Sequence, residues 1–377
     1  MRPTVLIIVL SVAIGAVAAG QDAVRYGSGT VAVVDYLEGS PEAIRDGQPV
    51  YAGMDFGFPV ENFDWFYTGA ADLLHMRTVS GIGVDARIEA QPDTSFYIVL
   101  SPDLTSQSAV VMLLSGTVSV DVHALSSDSD FQVQSGNVVM SVRGTRFTVT
   151  RTAAGDLLVT CDEGRVVCRS EDGELLFATP QTAVERTGSD VFRNTMDDGP
   201  AGVLRRSWIS KRIDALETDP LPAVKGRLER YSQLRDRFNR AFAALLSGRE
   251  TLENWMKHDR LAAAAVSDET EKAVPPEALG ALATIMPLQA ELEEVIRSVG
   301  KVEEFYNRGV LELPQEEESH ARALFRQVTN DRRLLLSRIA TVRYILKLYA
   351  AWNGGMLPGD VAAGDAERAM QSGQQGR

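Results

Sequence analysis

The chain has 377 residues, 45% hydrophobic and 24% charged, which suits two or three folded domains and excludes a collagenous or wholly disordered polymer. Its 38 Lys and Arg against 51 Asp and Glu give a net charge of −13, which argues against a nucleic-acid footprint and against electrostatic docking on anionic lipid. Two cysteines and four histidines are too few for most thiol or transition-metal chemistry, so no cofactor and no metal are expected.

Met1–Ala19 carries one positive charge, Arg2, and then an apolar run from Val5 to Ala19 broken only by Ser11 and Gly15. With small residues at its end, residues 1–19 read as a cleaved secretory leader, which predicts a periplasmic or secreted protein. About fifteen apolar residues rise about 22 Å as a helix, short of a hydrocarbon core of about 30 Å. An uncleaved anchor is therefore the lesser alternative, and no later stretch is apolar for long enough to span a bilayer.

Residues 27–190 read as an all-β domain. Short alternating runs such as Thr30–Val34, Val84–Ala90, Ser95–Leu100 and Val118–Val122 are separated by Gly, Asp, Asn and Ser. At least nine strands about ten residues apart predict a sandwich, a barrel or a short solenoid, with no helices interleaved as in a βαβ sheet. Phe63, Trp65, Phe66 and Tyr67 form the densest aromatic run and the candidate binding patch. Alternation would bury Phe63, Trp65 and Tyr67 together, and packing beneath the sheet is the commoner use of such a run.

The cysteines depend on register. A two-residue hairpin loop at Glu163-Gly164 sets Cys161 and Cys168 diagonally, about 7–8 Å apart and too far for an unstrained bridge. A loop centred on Gly164-Arg165 sets them face to face, so a disulfide and a pair of small buried thiols both stand.

From about residue 202 the period changes, and 202–352 read as an α-helical bundle or antiparallel coiled coil of three or four helices. Leu204, Trp208, Ile209, Ile213 and Leu216 share one helical face, and Val224, Leu228, Tyr231, Leu234, Phe238, Ala241 and Leu245 another. Ile285, Leu288, Leu292, Val295, Val299, Val302 and Tyr306 repeat at three- and four-residue steps. Leu324, Val328, Leu335, Ile339, Val342, Leu346 and Tyr349 do much the same, with a polar slot at Asp331. Pro287 is expected to begin a helix, and the last helix is expected over about Glu316–Trp352. Residues 353–377 read as a disordered tail.

One β segment is specific. Phe131–Ser135, Val138–Val142, Arg143-Gly144-Thr145-Arg146-Phe147-Thr148-Val149 and Leu158–Cys168 resemble the V-R-G-T-x-F-x-V strand pair and following hairpin of the FecR domain family. Leu114–Val118 and Tyr67-Thr68-Gly69 resemble upstream elements of that family, so the resemblance covers about Thr30 to Val184. Its residues Arg143, Gly144, Thr145, Phe147, Val149, Glu163, Gly164 and Val166 are of types that build a sheet corner and a turn. Arg143 or Arg146 is the alternative contact for a ligand or a partner carboxylate. The better-known FecR proteins are membrane-spanning signal transducers that regulate a sigma factor and sense an outer-membrane transporter. Here only Met1–Thr4 precede the apolar run, and the helical half has no counterpart, so the resemblance implies an exported contact module rather than that circuit.

The remaining motifs are weak. Glu317-x-x-His320 has no second copy for a di-iron bundle, and His75, His123 and His258 are scattered. Gly81–Ala86 fits a dinucleotide pattern, but an alternating strand follows it instead of a helix. The expected function is thus non-enzymatic: a protein-interaction or ligand-sensing module of the cell envelope. Its partner is an envelope protein, and the helices offer a route to homo-oligomers. Alternatives are a carbohydrate- or peptidoglycan-associated module using the Trp65 cluster, and an envelope enzyme with an unrecognised carboxylate pair.

Overall fold

Period-two alternation organises the first half of the chain, and three- and four-residue spacing the second. The computed structural model describes residues 30–46, 48–50, 53–79, 83–102, 107–125, 129–136, 138–152, 155–170, 173–187, 190–195, 201–218, 220–260, 276–309 and 311–352. The segments expected as leader, 1–19, and as tail, 353–377, lie outside the described residues. Seventeen strands are followed by five α-helices among the described residues, giving the α+β order expected: an all-β half, then a helical bundle. No described helix is long and apolar enough to cross a membrane.

The strands form two facing sheets with one shared core, a sandwich. In Val84–Ala90 the apolar residues are buried while Asp85 and Arg87 are exposed. One long strand, Gln107–Leu125, belongs to both sheets. Its first part pairs with Ser95–Pro102 and, in parallel, with Ser129–Ser135. Its second part pairs with Val84–Ala90 and Arg146–Arg151. The change of sheet falls at Gly116, whose φ is +88°. A Cβ there would stand 2.5 Å from Thr94 Cα, so the chain can cross only where there is no side chain.

After that strand, successive pairs alternate between the sheets. Ser129–Ser135 with Val138–Val142 and Val166–Arg169 with Leu175–Ala178 lie in one, Arg146–Arg151 with Leu157–Glu163 and Thr182–Thr187 with Asp190–Thr195 in the other. This corrects the hairpin expected at Glu163-Gly164. Leu157–Glu163 and Val166–Arg169 do not pair with each other; they pair in opposite sheets, and Gly164 is the corner between them. Gly144 makes the matching corner at φ +56°, and a Cβ on Gly164 would stand 2.9 Å from the Gly144 carbonyl oxygen. A positive-φ glycine suits a hairpin or a corner equally, so local sequence does not separate the two.

The helices are α1 (Ala201–Thr218), α2 (Pro220–Leu245), α3 (Arg249–Arg260), α4 (Pro276–Asn307) and α5 (Gln315–Trp352). In α1, Trp208 packs on Leu158 and Ala183 of the sheet, while Ile213 is exposed; the side chains of Leu216 and Leu228 lie outside the described residues. The stripes of α2, α4 and α5 bury one another within a single chain. The polar slot at Asp331 accepts a hydrogen bond from the Tyr231 hydroxyl at 2.9 Å. Pro287 does not begin a helix; it lies inside α4. Proline removes one backbone hydrogen bond there, but Pro287 is exposed, so water can reach the freed carbonyl while Ile285 and Leu288 hold the turn in the core.

The bundle lies on the sandwich. Phe63, Tyr97, Val99 and Leu114 of the sheets belong to the same apolar cluster as α2, α4 and α5. Phe96 and Ile98, on the other face of the Ser95–Pro102 strand, point into the sandwich core. That strand is therefore buried on both faces.

Candidate functional site

The four predicted aromatics do not form one exposed patch. Phe66 is fully buried in the sandwich core and stacks on Phe96 at 5.4 Å. Phe63, at φ +65°, is buried on the opposite face among helical residues. Trp65 and Tyr67 share that face and are half-buried beneath Arg297 of α4, whose guanidinium sits 4.1 Å from the Trp65 ring and 5.7 Å from that of Tyr67. The Trp65 indole N–H donates to Ser95 Oγ at 2.7 Å. Period two correctly separates Phe66 from its neighbours, but helices, rather than the second sheet, cover the other three.

Arg297 opens a buried polar seam. Glu293, one turn earlier on α4, accepts from Arg297 at 3.0 Å and from Arg343 of α5 at 2.5 Å. Arg343 also donates through Nε to Gln289 Oε1 at 2.8 Å, and Gln289 Nε2 donates to the Tyr97 hydroxyl at 2.9 Å. The side chains of Glu293 and Arg343 are 2% and 8% exposed, so this is an interior Arg–Glu–Arg triad. Burial alone would raise the Glu293 carboxyl; the Arg343 and Arg297 charges outweigh it and hold the group below its ordinary range. Burial lowers the Arg297 guanidinium, and Glu293 opposes that shift.

Further ion pairs tie the two halves together. Lys347 of α5 meets Glu61 at 2.8 Å and Asp46 at 2.9 Å, while Arg151, at the end of a sheet strand, meets Glu294 of α4 at 2.8 Å. Two cavities flank Trp65 along this seam. The smaller, 220 Å³, has Phe63, Glu293 and Arg343 in its wall. The larger, 630 Å³, is a cleft between the sheet and helices α1, α4 and α5, walled by Tyr67, Leu114, Gly116, Arg297 and Phe305 among others.

The motif residues lie away from this seam. Thr145 is buried, its Oγ1 3.1 Å from the Arg143 carbonyl, and Phe147, Val149 and Val166 are in the sandwich core. Arg143 and Glu163 are exposed, and Arg146 pairs with Asp121 at 3.0 Å. Glu317 pairs with Lys225 at 2.6 Å, while His320 is exposed. Sequence reading missed Tyr97, Gln289, Glu293, Glu294, Arg297, Arg343 and Arg151. The available signal was the unbroken apolar run Tyr97–Leu100, which marks a strand covered on both faces.

Cys161 and Cys168 are free, buried thiols in opposite sheets, paired with Phe147 and Met140, which corrects the cross-strand geometry of the expected hairpin. Burial raises them to about 11 and about 12, so both remain protonated and unreactive at neutral pH. A thiol reagent is expected to find none on the native protein without reductant, and two after unfolding. None after unfolding would show a bridge.

Residues 85–167 match the family described as FecR protein, under a quarter of the chain and within the span read from the motifs. No curated protein matches the sequence. Two crystal structures of a candidate anti-sigma factor from Parabacteroides distasonis are similar to part of the fold, at 15% and 14% identity and a TM-score of 0.29 each. The matches cover 35% of this chain and 58% and 60% of those, so the chain spans less than two thirds of their length.

Proposed function

We propose that this chain is an exported, non-catalytic regulatory protein of the cell envelope, in which a FecR-type sandwich and a helical bundle act together as a sensing unit. The match over 85–167 supports a regulatory class. The observation that carries the reading is the seam. The last residue of the FecR-matching strand Arg146–Arg151 is clamped to Glu294, and a cleft opens beside that clamp. A ligand or partner entering there touches both halves at once, which is the arrangement a sensor needs to change their relation.

The reading is tested in two steps. Fractionation is expected to place the mature protein outside the cytoplasm, and crosslinking in intact envelope followed by pull-down is expected to recover a specific envelope protein. Cytoplasmic retention, or no partner above background, would overturn it. The carbohydrate alternative needs an open aromatic face, and Trp65 gives its face to Arg297. Sedimentation with purified cell wall that is lost in Trp65→Ala would reverse that order.

A further inference from the structure

Most charges in the wall of the larger cleft are matched. Arg151 pairs with Glu294, Arg297 with Glu293, and Lys301 with Glu304 and Asp93. Arg212 pairs with Glu185. Two are left over, one on each side. Arg332 is exposed on α5, and Glu42 is exposed on the sheet, directly across from Tyr67 in the register. Among the described residues neither side chain has a hydrogen bond or an ion pair. Arg332 reaches in beside Gly300, where a Cβ would stand 3.8 Å from its Nη1, and so approaches Arg297, a like charge. Arg332 thus brings to the cleft a guanidinium with no counter-ion, and such a group favours an incoming carboxylate.

We propose that this cleft receives a short peptide with both ends free, its carboxylate on Arg332, its ammonium on Glu42, and an apolar side chain against Trp65, Tyr67, Leu114, Phe305 and Leu336. A purely anionic ligand would leave Glu42 repelling it, and a purely cationic one would leave Arg332 unmet. Only a ligand bearing both charges uses both walls. The cleft, at 630 Å³, falls within the size range of small-molecule sites. This deepens the sensing reading by naming the chemistry sensed, and rests on it only in taking the cleft as the receiving site.

The test uses the purified mature chain and four forms of the dipeptide Ala-Phe: both ends free, N-acetylated, C-amidated, and blocked at both ends. Ligand-observed saturation-transfer NMR with competition is expected to rank the free form tightest, and each blocked end to weaken binding about tenfold. In Arg332→Gln the amide is expected to bind as well as the free acid. In Glu42→Gln the acetylated form is expected to bind as well as the free amine. Arg333→Gln, exposed on the same helix outside the cleft, is expected to behave as the parent. No transfer from any form at millimolar concentration, equal binding of all four, or end preferences unmoved by both substitutions would overturn the proposal. None of these outcomes depends on the envelope crosslinking, so the two readings fail separately.

Discussion

Glu293→Gln is expected to lower the unfolding free energy by about 3–5 kcal/mol, measured from the urea midpoint at constant slope. Glu293 is almost completely buried and is the one carboxylate shared by Arg297 and Arg343. Substituting the amide leaves two interior guanidiniums facing a neutral group that also presents N–H donors. Replacing all three residues with apolar side chains of similar volume is expected to restore most of the loss, because the desolvation cost of the charges disappears with them. The pH dependence has a definite sign. The folded carboxyl lies below its ordinary 4.5, so its contribution is complete above that value and is lost as pH falls through the depressed one. The parent is therefore expected to lose stability across that acid window by more than Glu293→Gln does. A loss below about 1 kcal/mol for the substitution would show that water reaches the triad.

Gly116→Ala is expected to be nearly as damaging, at about 2–6 kcal/mol. About 1–3 of this is backbone strain at φ +88° and about 1–3 is overpacking, since the new Cβ meets the Thr94 Cα at 2.5 Å and the Asp93 carbonyl oxygen at 2.6 Å. Backbone atoms cannot swing aside as the end of a long side chain could. Gly144→Ala is the natural comparison: its φ is also positive, at +56°, but nothing lies within 4 Å of the added carbon. It is expected to cost only about 1–2 kcal/mol. Equal losses at the two positions would show that left-handed backbone alone sets the effect; measuring both midpoints decides it.

Much of the fold was legible because it repeats. Val84–Ala90 alternates without a fault, and the steps from Ile285 to Val302 place every one of those residues in the core. Other features were hidden for identifiable reasons. Glu163-Gly164 supports a hairpin or a corner equally until the partners of the flanking strands are known. Proline in α4 is tolerated because of which way it faces, a fact that spacing does not contain. The seam was the least legible part. Glu293 and Arg343 are 50 residues apart, and Gln289 and Tyr97 are 192 apart, so no local pattern links them. A lone Glu beside an apolar stripe reads as a solvated flank unless its distant cations are already in view. For Phe63, Trp65 and Tyr67, alternation showed which side they take, and only the tertiary arrangement showed what meets them there.

The doubly covered Ser95–Pro102 strand bears on how the molecule can be divided. A cut after Thr195 looks natural on paper, yet it would strip the cover from Phe63, Tyr97, Val99 and Leu114 and leave a sticky apolar plateau on the severed piece. Residues 27–195 expressed alone should therefore self-associate, and swapping those four side chains for polar ones should return a monomer by light scattering. Two segments that look independent in one dimension share one apolar layer, so they are expected to unfold in a single transition, and grafting either onto another scaffold means carrying its counterpart along.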